Sequence, residues 1–207
     1  MIPSIVAIPI KPFGVAKQRL APVLDAKQRS VLGRAVAART ASIVAESGAL
    51  PVVVTGDDGV ARWAKGLHLD VLPEGNDGST GLDRAAATVT KAAHGGSWAI
   101  VHADLPISTA DDFRSVWARL DTASAAIAPA HDAGTNVIAG SGSARFGYGP
   151  GSFARHLAIT PKASVVVRQG LAYDLDTPAD LAFMGRLAAG SWLRSLLDVV
   201  EASPASR

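Results

Sequence analysis

The sequence predicts a single-domain α/β fold in which helices cover both faces of a mostly parallel sheet. Apolar runs typical of strands alternate along the chain with segments of helical period, which is the pattern that such sheets produce. The 207 residues are 48% hydrophobic, and no Gly/Ser/Pro tract or charge block divides them. We therefore expect one core and one domain over the whole chain, with a helical tail from about residue 190.

Four strands and three helices are predicted in the first half of the chain. The strands are short runs rich in Val, Ile and Leu, at residues 5–10, 51–55, 69–72 and 98–101. The helices have apolar residues at helical spacing, at residues 27–47, about 58–65 and 82–93. Gly48 ends the first helix, and Asp57 or Asp58 caps the second.

The second half begins with a predicted helix at 110–120. Two strands follow, at 125–130 and 136–139, and the short loop between them predicts a hairpin. A Gly-rich stretch at 145–152 leads into a short helix that runs through His156. A strand at 164–168 and two closing helices, at 177–189 and 192–201, complete the chain.

Composition excludes several classes of function. Cysteine is absent, which rules out disulfides, thiolate nucleophiles and cysteine-ligated metal centres and fits a reducing compartment. The apolar run at the N-terminus is too short for a signal peptide or a membrane span. The net charge is only +2, and the Lys and Arg residues are scattered without interleaved aromatic residues. We therefore expect a cytoplasmic protein that acts on small anionic substrates and binds neither nucleic acid nor membrane.

Carboxylates follow two of the apolar runs. Asp104 comes just after the strand 98–101, and Asp174 and Asp176 come after the apolar run 165–167. If both runs are buried parallel strands, all three carboxylates reach one rim of the sheet, where they suit one or two Mg²⁺ ions that hold a nucleoside triphosphate. The pattern predicts nucleotidyl transfer, with Asp104 as a catalytic residue and all three carboxylates as metal ligands.

Two of these carboxylates also have a purely structural interpretation. Asp104 precedes Leu105-Pro106 and could cap a turn. Asp176 precedes Thr177-Pro178 and could be the N-cap of a helix with Pro near its start. Both alternatives stay open at the level of the sequence.

Several motifs occur in the order and spacing of a known enzyme family. They are AKQRLAP at 16–22, ADLP at 103–106, GT at 134–135, FGYGPGSFARH at 146–156 and DLDTPADL at 174–181. With them the chain resembles, over about residues 5–185, the CofC/FbiD guanylyltransferases of coenzyme F420 biosynthesis. The resemblance implies a Rossmann-like fold of the glycosyltransferase-A nucleotidyltransferase type.

The same resemblance implies a Mg²⁺-dependent reaction. GMP is transferred from GTP to a phosphorylated three-carbon acid, and pyrophosphate is released. Phosphoenolpyruvate is favoured over 2-phospho-L-lactate and 3-phosphoglycerate, because YGPGSFARH is closer to the variant found in family members assigned that acid. The product would pass to a downstream transferase of the F420 pathway.

Positive side chains follow the first strand. Lys17 and Arg19 are expected to grip the triphosphate as nucleotide-binding and catalytic residues, and Lys11 is expected to contact substrate beside them. Only Gly14 lies in this loop, whereas broader relatives of the family carry several glycines there. The alternative is that Lys17 and Arg19 are ordinary solvated charges at a helix entrance.

The acceptor acid is expected to bind further along the chain. Backbone N–H groups in a Gly-containing turn at a helix start, together with hydroxyl groups, bind a small phosphate well, and Thr135, Gly149 and Ser152 match that need. They also lie where the family binds its acid. Gly147 offers a competing register for the functional glycine. Arg155 and His156 are expected to neutralise the phosphate, or else to form the polar face of a surface helix.

Guanine recognition is the least constrained feature. The base is expected to contact residues near Thr55-Gly56 and 79–83, with Asp83 accepting hydrogen bonds from guanine or, alternatively, capping a helix. Family members often have Leu-Asn where this chain has Leu82-Asp83.

Two other functions fit parts of the pattern. A nucleotidyltransferase acting on molybdopterin or a sugar phosphate would share Asp104 and the fold but need a wider acceptor pocket. A non-catalytic nucleotide sensor is the alternative outside enzymes. Such a sensor could be a homodimer that uses the Ala-rich helices and the stretch 192–200 as its interface.

Overall fold

The computed structural model describes residues 1–75 and 81–202, with side chains described through residue 198. One seven-stranded sheet runs through it, in the order β3-β2-β1-β4-β6-β5-β7. Strand β6 runs antiparallel to β4 and β5, and every other pair is parallel, so the predicted mostly parallel sheet and the predicted hairpin are confirmed. The strands are β1 Ile5–Pro9, β2 Pro51–Thr55, β3 Asp70–Pro73, β4 Ser97–Val101, β5 Ala125–Pro129, β6 Thr135–Ser141 and β7 Ser164–Val165.

Eight α-helices surround this sheet in the part of the chain just defined. They are α1 Ala26–Glu46, α2 Asp58–Gly66, α3 Gly81–Ala92, α4 Ala110–Trp117, α5 Ser152–Ile159, α6 Gln169–Ala172, α7 Pro178–Arg186 and α8 Ser191–Ala202. Short 3₁₀ turns occupy Gln18–Leu20, Ala118–Asp121 and Ala188–Gly190. None of the helices over residues 1–75 and 81–202 has the length and apolar character needed to cross a bilayer. The cap of α2 is Asp57, whose side chain accepts a hydrogen bond from Val60 N.

Helices cover both faces of the sheet because successive strand residues point to opposite sides. Val6 and Ile8 face a cluster built with α1, α2 and α4. Ala7, between them, faces a second cluster built with α3. All three residues are fully buried, so the central strands are apolar on both faces, as strands of a covered parallel sheet must be.

A third, smaller apolar cluster lies beside the sheet and supports two loops. Leu20, next to Arg19, and Leu175, between Asp174 and Asp176, pack in this cluster with side chains of α1, α7 and α8. Both leucines are fully buried. Their burial anchors the loop after β1 and the segment after α6 against the same support.

The region 164–168 differs from the prediction. Only Ser164–Val165 is a strand, and Val165 and Val167 are 44% and 73% exposed, so this apolar run is not a buried strand. The chain turns instead into α6, where a Cβ on Gly170 would lie 2.2 Å from an Asp112 carboxylate oxygen. Asp174 and Asp176 therefore leave from the loop after α6, not from the end of a strand.

Candidate active site

A cleft of about 630 Å³ opens at one rim of the sheet. The parallel strands β1 and β4 end at this rim. Strand β6 runs the other way, so it begins there and brings Thr135 and Asn136 to the same cleft. The lining comes from the loop after β1, from α1, from the segment 102–104, from the Gly-rich stretch before α5 and from Asp174 and Asp176. Open α/β sheets place their ligand sites at this kind of edge.

Three carboxylates meet in the cleft. One oxygen of each of Asp104, Asp174 and Asp176 lies within 4.8 Å of the others, and we call these three residues the carboxylate group. The N-cap of α7 is Thr177, which forms a capping box with Asp180. The carboxylate of Asp176 is therefore available to the cleft, and the N-cap alternative for Asp176 is wrong.

Lys17 lies inside the carboxylate group. Its Nζ atom is 2.5 Å from Asp104 Oδ2 and 3.0 Å from Asp176 Oδ1, and its side chain is only 9% exposed. Burial by itself lowers the pKa of Lys17, but attraction to Asp104 and Asp176 outweighs it and leaves the pKa above 10.5. The alternative of a solvated surface charge is therefore wrong for Lys17.

Arg19 and Lys11 flank this centre. Arg19 Nη1 is 3.7 Å from Asp176 Oδ2, but its side chain is largely exposed. Lys11 also lines the cleft and is exposed. Both side chains have room to meet an anionic ligand, and their roles in binding one stay predictions.

The carboxylates differ in their electrostatics. Burial raises the pKa of Asp104, but the charges of Lys17 and His102 and the hydrogen bond from Lys17 bring the pKa below its ordinary value. Burial and the negative charge of Asp104 raise the pKa of Asp174, against a hydrogen bond from Asn136. Asp104 is thus the carboxylate that the fold stabilises in its charged form, whereas ionised Asp174 is held at a cost.

The donor set fits a hard divalent cation. Three carboxylates supply only oxygen atoms, which Mg²⁺ prefers. The fold already brings one positive charge, the Lys17 ammonium, between two of them. The residues that would hold Mg²⁺ are thus close enough to share a cation.

Two residues of this region were not identified from the sequence. Asn136, fully buried in β6, donates through Nδ2 to Leu171 O at 3.0 Å and to Asp174 Oδ1 at 3.2 Å. His131 lies 3.8 Å from Asp174 and 3.7 Å from Asp180, and it stacks on Tyr173. A buried amide in an otherwise apolar strand was the one available signal for Asn136, because buried polar groups need partners.

The acceptor-side residues converge on the opposite wall of the cleft. Thr135, Gly149 and Ser152 all line it, and Ser152 Oγ donates to Thr135 Oγ1 at 3.3 Å. Gly149 has φ +113°, which favours glycine strongly. The backbone N–H groups of Ser152 and Phe153 already donate to Gly149 O and Ala133 O. The proton of the Thr135 hydroxyl is thus more available to a ligand than the Ser152 hydroxyl proton or the first N–H groups of α5.

Contrary to expectation, the guanidinium group of Arg155 contacts neighbouring backbone groups and does not line the cleft. Its three side-chain nitrogens donate to the carbonyl oxygens of Gly147, Pro150 and Tyr148, at 2.9, 2.7 and 3.3 Å. We call residues 147–151 the acceptor loop. A loop that curves around a side chain exposes its carbonyl groups to it, and the guanidinium group satisfies them. Arg155 therefore holds the loop in shape, and its direct contact with phosphate stays a prediction.

His156 is likewise turned toward the loop. It is 1% exposed, Gly147 N donates to its Nε2 at 3.2 Å, and its Nδ1 lies 2.9 Å from Thr135 Oγ1. The alternative of a place on a polar surface is therefore wrong for His156, and its contact with phosphate stays a prediction. Gly147 N already donates to His156, whereas Gly149 lines the cleft. Gly149 is therefore favoured over Gly147 as the functional glycine.

The residues expected to meet guanine have other partners. Asp83 Oδ1 accepts from Tyr148 N at 3.0 Å, so the predicted contact with the base competes with a bond that ties α3 to the acceptor loop. Asp83 is absent from the lining of the cleft, whereas its neighbour Leu82 belongs to it. Thr55 is buried and donates to Ile10 O. Residues 79 and 80 of the predicted range lie outside the described residues.

The aromatic ring of Tyr148 closes the space between these residues. It packs edge-on against His156, with 4.8 Å between ring centroids, and lies 5.9 Å from the ring of His102. The Tyr148 hydroxyl and His102 Nε2 are buried and have no hydrogen-bond partner over the described ranges. Burial and the charge of Asp83 raise the pKa of Tyr148, so its phenol stays protonated.

Comparisons with known proteins agree with this geometry. The family described as "Guanylyl transferase CofC like" matches residues 4–199. A phosphoenolpyruvate guanylyltransferase of Nocardia farcinica is 35% identical over 92% of this chain and 88% of its own length. Another, of Sphaerobacter thermophilus, is 34% identical over 86% of this chain and 90% of its own length. A crystal structure from Desulfovibrio desulfuricans G20, provisionally assigned as a nucleotide-diphospho-sugar transferase, superposes with a TM-score of 0.74 at 17% identity, covering 97% and 98% of the two chains.

Proposed function

The chain belongs to the CofC-like guanylyl transferase family, and on that premise we propose that it transfers GMP from GTP to a phosphorylated three-carbon acid and releases pyrophosphate. Phosphoenolpyruvate is the favoured acid, because the relatives of 35% and 34% identity are named for it. The observation that carries the proposal is the meeting of the carboxylate group and Lys17 on one wall of a cleft whose other wall presents Thr135 and Ser152.

The proposed reaction is a displacement at the first phosphorus atom of GTP. An oxygen of the acid's phosphate attacks this phosphorus, the bond from phosphorus to the oxygen that bridges to the second phosphate breaks, and pyrophosphate leaves with that electron pair. The acceptor phosphate is already anionic at neutral pH, so no general base is required. Catalysis then rests on positioning and on neutralising negative charge.

Positive groups on one side of the cleft supply part of that neutralisation. Lys17 is held at the carboxylate group, and the more exposed Arg19 and Lys11 can swing toward a triphosphate. Mg²⁺ would be held by Asp104, Asp174 and Asp176, and it would offset the charge of the triphosphate. The oxygen-only donor set and the cation already sitting among these carboxylates support this assignment.

The acid would bind at the start of α5. The Thr135 hydroxyl can donate to its phosphate or carboxylate oxygens, the Ser152 hydroxyl supports it by donating to Thr135, and Gly149 leaves room for the ligand to approach the backbone. The proposal includes the cytoplasm as the place of reaction and an F420-pathway transferase as the next user of the product. A homodimer stays a prediction.

Turnover tests the proposal directly. The protein is incubated with Mg²⁺, with each of the four ribonucleoside triphosphates, and with phosphoenolpyruvate, 2-phospho-L-lactate or 3-phosphoglycerate, while pyrophosphate is followed. We expect release only with GTP and one preferred acid, together with equal amounts of a diphosphate diester in the ³¹P spectrum. Binding of GTP without pyrophosphate release in the presence of any of the acids would support a sensor instead.

A further inference from the structure

We propose that His156 is a positioning residue that makes the Thr135 hydroxyl an obligate hydrogen-bond donor toward the acceptor, so that the site selects an unprotonated phosphate or carboxylate oxygen. The inference rests on the proposed function for the identity of the acceptor. The hydrogen-bond arrangement from which it starts stands on the geometry alone.

The protonation of His156 follows from its two partners. A backbone N–H group can only donate, so the bond from Gly147 N makes His156 Nε2 an acceptor that carries no proton. A neutral imidazole has one N–H group, which must then be at Nδ1, where it donates to Thr135 Oγ1 at 2.9 Å. Burial lowers the pKa of His156, and Arg155 and His102 add to this against the opposing charge of Asp83, so the ring is neutral at physiological pH.

The Thr135 oxygen is saturated as an acceptor by this arrangement. It receives one hydrogen bond from His156 Nδ1 and a second from Ser152 Oγ, and a hydroxyl oxygen has two lone pairs. What remains is the hydroxyl proton of Thr135. Thr135 lines the cleft with only 1% of its surface exposed. In the proposal this proton goes to the ligand, and the ligand atom that receives it must bring a lone pair and no hydrogen.

The location of His156 assigns it an indirect role. It is 1% exposed and is absent from the lining of the cleft, so it acts through Thr135 and through the acceptor loop. Its two ring nitrogens connect Gly147, at one end of the loop, with the first residue of β6. One side chain thereby sets both the shape of the acceptor loop and the direction of the Thr135 hydroxyl.

Two amide variants separate these two effects. In His156→Asn the amide nitrogen lies near the Nδ1 position and can still donate to Thr135, but no group accepts from Gly147. In His156→Gln the amide oxygen lies near the Nε2 position and can accept from Gly147, but no group donates to Thr135. We expect His156→Gln to raise KM for phosphoenolpyruvate about tenfold with KM for GTP changed less than about twofold, because one hydrogen bond to the ligand is weakened. His156→Asn should stay within about threefold of the original KM for the acid.

Combining His156→Gln with Thr135→Val distinguishes an effect transmitted through the Thr135 hydroxyl from a general loss of packing. If His156 acts through the hydroxyl, His156→Gln adds less than about twofold to KM for the acid in a Thr135→Val background. Thermal unfolding of each variant checks that it is folded. Equal KM increases in the Asn and Gln variants, or full additivity with Thr135→Val, would overturn the proposal.

A second measurement does not depend on turnover. Long-range ¹H–¹⁵N spectra report which nitrogen of a neutral histidine carries the proton, and the His156 signals are assigned by their loss in His156→Asn. We expect the Nδ1–H form, and a proton on Nε2 would refute the arrangement. If the protein shows no transferase activity with any acid, the proposed function fails while this spectrum still decides the state of His156.

Discussion

The backbone nitrogen of Leu175 donates a hydrogen bond to the carbonyl oxygen of Asp104, 3.0 Å away. This bond joins the two loops that carry the carboxylate group, which are otherwise far apart along the chain. The Leu175 side chain is fully buried in the third cluster, so the same residue fixes the loop to the body of the protein. The arrangement of the carboxylates therefore depends on an apolar residue between two of them.

Leu175→Ala tests this support. Removing a fully buried leucine side chain should lower the free energy of unfolding by about 2–4 kcal/mol, because it loses apolar burial and leaves a cavity. Urea denaturation measures the change. Val167→Ala, at a position 73% exposed, is the matched control and should stay within about 0.5 kcal/mol of the original protein. Similar losses in both variants would contradict the role given to Leu175.

Asp104→Asn should abolish most of the activity while the protein remains folded. The substitution removes the charge that pairs with Lys17 at 2.5 Å, and we expect kcat to fall by at least about 100-fold. The pKa of Asp104 is below 3.8, so its charged form contributes stability above the ordinary pKa, and this contribution is lost as pH falls through the folded-state pKa. The variant should therefore be less stable at pH 7, and the difference should shrink at acid pH. Asp111→Asn, at an exposed residue, is the control.

Asp174→Asn should have the opposite effect on stability. Because the pKa of Asp174 is above 3.8, its charged form costs stability at pH values above the folded-state pKa, and that cost disappears as pH falls below the ordinary pKa. An asparagine keeps an acceptor for Asn136 Nδ2 without the repulsion from Asp104. We expect a higher free energy of unfolding at pH 7 together with a large loss of kcat.

Denaturation of Asp174→Asn at several pH values tests whether the substitution stabilises the protein. Its free energy of unfolding should exceed that of the original protein at pH 7 and equal it at pH 3. A variant that is less stable at pH 7 would show that the carboxylate group is not strained by its own charge.

Lys17→Met should raise the affinity for a metal ion and lower the affinity for GTP. The Lys17 ammonium lies 2.5 and 3.0 Å from two of the carboxylates that would hold a cation, so it competes with a metal ion in the absence of nucleotide. Removing it should tighten binding of Mn²⁺, used as a probe for Mg²⁺, at least about threefold in calorimetry. The same variant should bind GTP more weakly. Unchanged or weaker Mn²⁺ binding would show that the ammonium does not occupy the cation's place.

The sequence allowed the strand and helix alternation, the hairpin and the position of Asp104 at the rim of the sheet to be predicted, because each depends on local periodicity or on the end of an apolar run. The predicted strand at 164–168 was wrong beyond residue 165, because only Ser164–Val165 is a strand. There Val165 and Val167 are exposed while Val166 is buried, and the chain then enters α6, where Gly170 lies too close to Asp112 for any larger side chain. Local patterns carry no information about such long-range approaches.

The contacts that Arg155 and His156 make with the acceptor loop could not be predicted from the sequence, for a related reason. A charged residue near a Gly-rich stretch can point to a ligand or to the stretch itself, and the choice depends on how the loop curves. Here the glycines at 149 and 151, with φ +113° and +69°, curve the backbone so that its carbonyl groups face Arg155. Single residues do not reveal that curvature.

Strand β6 enters the sheet at the rim that holds the cleft, and α5 begins at the same place, so the side chains proposed to bind the acid come from the continuous stretch 134–156. The positive side chains proposed to bind the triphosphate come from residues 11–19. The proposed function thus assigns recognition of the two co-substrates to two separate segments of the chain, an earlier cassette at 11–19 and a later cassette at 134–156. Transplanting the later cassette from an enzyme with a different acid preference would retune one half of the reaction and leave the other half intact.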